Sequence, residues 1–313
     1  MLSRIADSLF WLNRYMERAQ GVLRVSCVHY VLSLDKSVHN NLTWRPVLEI
    51  FTNANESEIA TLENDAATAL PKLITQSTNI NSLKNIILHA RENARGVQDH
   101  ITKEVWEDVN ELYHIVNQPD LPERLTDLNA LQILEELSYR CTAYVGTTDI
   151  TMPRGQGWNF MNMGKYIERC FETIVFTEKA CERFEYNITI ERDIMQWRSL
   201  LLSLSGYELH LKNYRGGSTN MNALHQIIFN YDFPRSIMYS FDRIHRYLNA
   251  IAKANPSPHT PYITNRFGRL YSKLQYIDQQ DIKTIDLQAF LKELRIELLK
   301  FSTEFGQLFF SYH

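Results

Sequence analysis

The chain has 313 residues, 44% of them hydrophobic, and a formal net charge of −3. That length and composition support one large domain or two ordinary ones around a sizeable core, and the weak acidic charge gives no electrostatic drive toward nucleic acid. No run approaches the ~20 apolar residues of a membrane span. The N-terminal Arg4 and Asp7 stand where an export signal needs an apolar stretch, so a soluble, cytoplasmic protein is expected. The Asn-x-Thr sequons at Asn41 and Asn187 then carry no glycan. The cysteines, Cys27, Cys141, Cys170 and Cys181, form no Cys-x-x-Cys pair and suit a reducing compartment.

Helical periodicity begins at once. Ser3 reads as an N-cap, and Ile5, Leu9, Leu12, Met16, Ala19 and Leu23 then lay an apolar stripe on one face of a first helix. Similar patterns run through 81–116, 128–146, 157–184, 191–212, 235–254, 261–276 and 286–311. Leu83, Ile87, Ala90, Ala94, Val97 and Ile101 form one continuous stripe in the first of these. Gly155-Gln156-Gly157 lacks the preceding strand and the Lys-Ser/Thr of a phosphate loop, and reads as a turn into the Trp158 helix. Arg215-Gly216-Gly217-Ser218 reads as a helix stop. Pro256, Pro258 and Pro261 make 254–261 an exposed connection. No segment alternates with period two, so the fold class is all-α.

The chain also repeats itself. Arg14-Tyr15-Met16-Glu17-Arg18 returns as Lys165-Tyr166-Ile167-Glu168-Arg169. Trp44-Arg45 matches Trp197-Arg198, and Asn81-Ser82-Leu83 matches Arg235-Ser236-Ile237. The landmarks keep their order at a spacing of about 150 residues, which implies a bundle built from two duplicated helical halves split near residue 150.

On the first helix Arg4, Asp7, Trp11, Arg14, Tyr15 and Arg18 share one sector, about a quarter turn from the Ile5 stripe. A helix with core on one side and large aromatics on others is expected to be surrounded, with its arginines partly buried and paired. The second copy supplies Arg154, Trp158, Tyr166, Glu168 and Arg169, and the 81–106 stretch supplies Arg91, Glu92, Asn93, Arg95, Asp99, Glu104 and Trp106. Arg4, Arg14, Glu17, Arg18, Arg91, Asn93, Arg95, Arg154, Trp158, Glu168, Arg169 and Arg235 are therefore the candidate ligand-binding residues. Two roles compete for them: a structural ion-pair network, which is the commoner outcome, or an anion site in which arginine forks hold a carboxylate or phosphate. Glu17 and Glu168 are candidates for a general acid/base pair, although pairing with arginine is the simpler role. His100 and Glu104 sit one helical turn apart, a spacing compatible with a metal, but no zinc-type pattern accompanies them, so neither a metal nor a cofactor is assigned.

Leu2-Ser3-Arg4, Trp11-Leu12-x-Arg14-Tyr15-x-Glu17-Arg18-Ala19, Ala90 to Val97, Gly155-x-Gly157-Trp158, Gly164-x-Tyr166-x-Glu168-Arg169 and Phe233-Pro234-Arg235-Ser236 stand in the order of a known family. Over essentially its whole length the chain resembles the bacterial alpha-E family, a helical domain named for a Glu-Arg motif. It departs at Asn13, Gln20 and Lys165, where glycine, glutamate and arginine are expected, and at Cys170, where a small residue is expected. The resemblance implies a single alpha-E domain over 1–313, within which the internal repeat sets halves at 1–150 and 151–255 and leaves a helical extension at 256–313. It also implies a setting: such proteins accompany a circularly permuted ATP-grasp protein of the carboxylate–amine ligase type, often with a transglutaminase-like peptidase nearby. A non-catalytic partner that binds the ligase, or its peptide or acyl-phosphate product, follows as the first expectation. The alternatives are an enzyme of the same pathway acting on an anionic substrate through Arg and Glu side chains, and a purely structural oligomerisation module. Self-association is left open.

Overall fold

The computed structural model describes residues 2–34, 43–127, 129–188, 194–216, 219–277 and 285–310. Among these the regular structure is entirely helical. The chain divides into two compact units, one of Trp11–Pro153 and one of Met1–Phe10 with Arg154–His313. The division falls close to residue 150, but residues 1–10 group with the later unit, and so does 256–313.

In the Trp11–Pro153 unit, α1 (Ser3–Leu34) contributes from Trp11 onward. It is followed by α2 (Arg45–Phe51), α3 (Glu56–Leu62), α4 (Ala66–Ile74), α5 (Leu83–Arg95), a 3-10 turn (Gln98–His100), α6 (Lys103–Val116), α7 (Leu121–Arg124) and α8 (Ala130–Thr151). Helix α6 packs between α5 and α8. Its Val105, Val109, Leu112 and Val116 meet a core that includes Leu83, Ile87, Ala90 and Ala94. The amides of Ile5 and Ala6 both bond to the Leu2 carbonyl, so Ser3 is the first helical residue rather than the cap.

The stretch 81–116 is not one helix. It stops at Gly96, and Thr102 restarts it by accepting from the Val105 amide at 3.4 Å. Val97 and Ile101 stay buried across the break, so the apolar stripe continues although the helix does not. His100 thus lies in the turn and Glu104 in α6, both exposed, and the shared-helix geometry that suggested a metal is absent.

The second unit contains α9 (Gln156–Glu182), α10 (Ile194–Ser203), α11 (Tyr207–Asn213), α12 (Thr219–Phe229), α13 (Ile237–Ala254), α14 (Thr260–Gln275) and α15 (Leu287–Phe309). Helix α9 is central, packed on α13, α15 and α10. Phe305 is fully buried, with ring centroids 5.7 Å from Phe10, 4.8 Å from Phe309 and 6.1 Å from Phe301. Phe10 also lies 5.1 Å from Phe310, which explains why the first turns of α1 belong with this unit.

The expected helix 191–212 is also interrupted, and 191–193 lie outside the described residues. The Gly206 amide bonds to the Leu201 carbonyl at 2.7 Å and the Ser205 amide to the Leu202 carbonyl at 2.9 Å, with Ser205 at φ 56. This is a Schellman stop whose left-handed position carries serine, with the glycine one place later. Gly206 is there for close approach. A Cβ would lie 2.6 Å from Phe233 Cζ and 2.8 Å from Gln226 Nε2, whose amide donates to the Gly206 carbonyl at 2.7 Å. Gly206→Ala is expected to cost about 1–3 kcal/mol in urea denaturation through overpacking; a variant as stable as the wild type would show that Phe233 can yield.

Helix α11 ends at Asn213, before Arg215 and Gly216, and Gly217 and Ser218 lie outside the described residues. Between α13 and α14, Pro256, Pro258 and His259 are exposed, but the connection is tied down. The Ser257 and Thr260 hydroxyls pair at 2.8 Å, and the Asn255 side chain bonds to Gln156 at 3.3 Å. Pro261 sits in the first turn of α14, where a missing N–H costs nothing.

Candidate functional site

Helix α9 begins after an extended Gly155. Of the second-copy residues, Arg154 is exposed, with its guanidinium carbon 3.7 Å over the Trp158 ring. Glu168 is 2% and Arg169 8% exposed. Arg169 reaches the turn that starts α13: its Nη1 donates to the Pro234 carbonyl at 3.3 Å. Thr173, one turn on, donates to the Arg235 carbonyl at 2.9 Å. Ser236 accepts from the Tyr239 amide at 2.9 Å and donates to the Asn230 carbonyl at 2.6 Å. The Pro234-Arg235-Ser236 segment, far from the Glu-Arg pair in sequence, is thus clamped to it. The Arg235 side chain is half-buried.

Helix α13 adds residues the sequence reading passed over. Tyr239, Arg243 and Tyr247 follow i, i+4, i+8 spacing, the one signal that could have marked them as a single face. Tyr247 stacks on Tyr166 (centroids 5.9 Å, 16° between planes), and Tyr239 lies 6.1 Å from it. The Arg243 guanidinium carbon is 4.7 Å over the Tyr239 ring and that of Arg169 5.2 Å over Tyr166. Arg243 Nε is closed off from solvent without a hydrogen-bond partner, and its nearest carboxylate oxygen, on Asp242, is 3.9 Å away. Burial raises the Tyr247 phenol, against pulls from Arg246, Arg243 and Trp158. Burial raises the Tyr166 phenol well above its ordinary range, against a pull from Arg169. It stays a neutral donor.

In the Trp11–Pro153 unit, Glu17 is 3% and Arg14 8% exposed, while Arg18 is half-buried. Arg14 lies 4.6 Å over Trp11 and Arg18 5.6 Å over Tyr15, which stacks on His89 at 5.3 Å. Arg91 bridges α5 to α6, donating to Asn110 at 2.8 Å and covering Tyr113 at 4.4 Å. Arg95 pairs with Glu92 at 3.2 Å in solvent, and the Asn93 amide bonds back to the His89 carbonyl. Arg4 is exposed. On the first helix the expectation of partly buried arginines therefore holds for Arg14 and Arg18 and fails for Arg4, near the helix start; Arg95 and Arg154 are also exposed.

The departures from the family pattern find local partners. Asn13 accepts from the Tyr144 hydroxyl at 2.6 Å, and Gln20 donates to Thr142 at 3.4 Å, both on α8. Lys165 Nζ lies 5.6 Å over Tyr166. Burial raises all the thiols: Cys141 and Cys181 to about 12, Cys170 further still, and Cys27 with help from Glu135 against its contact with Ser138. None is poised as a thiolate. Cys27 is only half-buried, unlike Cys170 and Cys181. No group of three metal-binding side chains occurs among the described residues, and no helix among them is long and apolar enough to cross a membrane.

No curated protein and no solved structure matches the chain. A family model described as a predicted alpha-helical domain with a conserved ER motif matches residues 1–310. The chain therefore belongs to the Alpha-E family.

Proposed function

We propose that this chain is a non-catalytic, cytoplasmic helical subunit of an ATP-grasp amide-ligase system, which binds an anionic peptide or acyl-phosphate and presents it to the ligase. The observation that carries this reading is the α9–α13 seam. There Arg169 and Arg243 are held against Tyr166, Tyr239 and Tyr247, with Arg154 and Trp158 at its end. Preplaced guanidinium and phenol donors suit recognition of an anion. The raised thiols argue against cysteine nucleophilic catalysis. The alternative, an enzyme of the same pathway using Glu17 or Glu168 for proton transfer, draws on the burial of both carboxylates.

We further infer that the chain is a duplication. Ser82 and Ser236 both cap the helix that follows, Arg18 and Arg169 each lie over a tyrosine three residues earlier, and Trp44 and Trp197 are both buried. The copies have diverged: α13 runs unbroken where α5 stops at Gly96, and Trp197 lies inside α10 while Trp44 precedes α2.

The test of the partner reading is co-expression of the tagged chain with a circularly permuted ATP-grasp ligase of the proposed type, followed by size-exclusion chromatography. Co-elution in a defined stoichiometry that survives moderate salt is expected. Elution of the chain alone at every salt concentration, with both proteins folded, would sink this reading.

A further inference from the structure

The α9–α13 seam carries a more specific assignment, which rests on the binding reading above. Tyr166, Tyr239 and Tyr247 lie ring to ring, at 6.1 Å and 5.9 Å from the central Tyr166. The Arg169 and Arg243 guanidinium groups cover two of these rings from the same pair of helices. Lys165 adds a third cation 5.6 Å from the Tyr166 ring. Tyr239, Arg243, Tyr247 and Lys165 are half-buried, so the cluster can be reached from solvent. Three phenols supply hydroxyl donors and two guanidinium groups supply forked N–H donors. Asp242 lies 3.9 Å from Arg243 Nε and is engaged by the Tyr271 hydroxyl at 3.4 Å.

We propose that Tyr166, Tyr239, Tyr247, Arg169 and Arg243 form a binding site for a phosphoryl group. The donor set fits it better than a carboxylate. A phosphoryl group presents three terminal oxygens to neutral hydroxyls and planar forks, whereas a carboxylate presents two. The Arg243 guanidinium, half-buried over the Tyr239 ring, offers forked N–H donors to such oxygens. Burial holds the central phenol in its neutral, donating form, and a phenolate there would repel the ligand.

The experiment titrates the full-length chain with inorganic phosphate by calorimetry and by thermal melting, with acetate as the carboxylate probe. Saturable phosphate binding that raises the thermal midpoint is expected, with acetate at least tenfold weaker. Arg243→Gln should weaken phosphate binding about tenfold or more. The Tyr239→Phe/Tyr247→Phe double variant keeps the ring stack and should weaken it comparably. Lys103→Gln, at an exposed position in the first turn of α6, should bind as the wild type does. If Arg243→Gln fails to fold, the double phenylalanine variant decides alone. Absence of saturable binding to the wild type, equal affinity for acetate, or undiminished binding by the double variant would each overturn the assignment. Phosphate binding without co-elution of the ligase would sink only the partner reading, and co-elution without phosphate binding only this site.

Discussion

Arg169→Ala is expected to destabilise the protein by about 3–5 kcal/mol, read as a fall in the urea midpoint with little change in slope. The guanidinium is 8% exposed, so solvent cannot replace what the alanine removes. Its loss strands the Pro234 carbonyl and takes away the cation that covers Tyr166. It also strips positive charge from a helix on which Glu168, 2% exposed, is buried beside it. The α13 start is held to α9 through this arginine and through Thr173, so the damage spreads to the longest contact in the unit. Arg18→Ala should cost less, because Arg18 is only half-buried and part of what it loses returns to water. Equal melting of Arg169→Ala and wild type would mean that the Glu-Arg motif serves ligand or partner alone and holds nothing together.

Phe305→Ala should be comparably severe, about 3–5 kcal/mol, for a different reason. The ring is fully buried and surrounded by Phe10, Phe160, Phe301, Phe309 and Phe310. A cavity of phenyl size cannot close without moving several of these rings. The first turns of α1 are fastened to this unit through Phe10, so residues 1–10 should also become sensitive to protease. A loss under about 1 kcal/mol, with the N-terminus still protected, would mean that the aromatic cluster repacks freely.

The all-helical architecture was legible because its cause is local. The apolar stripe of the first helix, buried from Leu9 to Leu23, and that of α13 both follow the helical period, and each buries the face the period indicates. The breaks were not legible. Val97 and Ile101 keep the stripe of 81–116 while the backbone leaves the helix, so periodicity of burial outlasts periodicity of backbone. The stop at Ser205 was hidden because a serine occupies the left-handed position that usually announces itself as glycine. For the candidate site, the sequence placed Trp158, Glu168 and Arg169 on one helix, and Arg154 stands just before its start. It gave no reason to join them to Pro234 and Tyr239–Tyr247, because that proximity comes from tertiary packing of α13 on α9. Nor did it separate buried Arg14 and Arg169 from exposed Arg4, Arg95 and Arg154, since the residue type is the same and only position along the helix differs.

The most direct measurement is steady-state amide-bond formation by the ATP-grasp ligase, assayed with ATP and an anionic peptide substrate, with and without saturating amounts of this chain. A non-catalytic binding subunit predicts no turnover by the chain alone and a lower KM for the peptide when it is added to the ligase. That effect should weaken with Arg243→Gln. Turnover by the chain in the absence of the ligase, or ligase kinetics indifferent to its presence, would contradict the account.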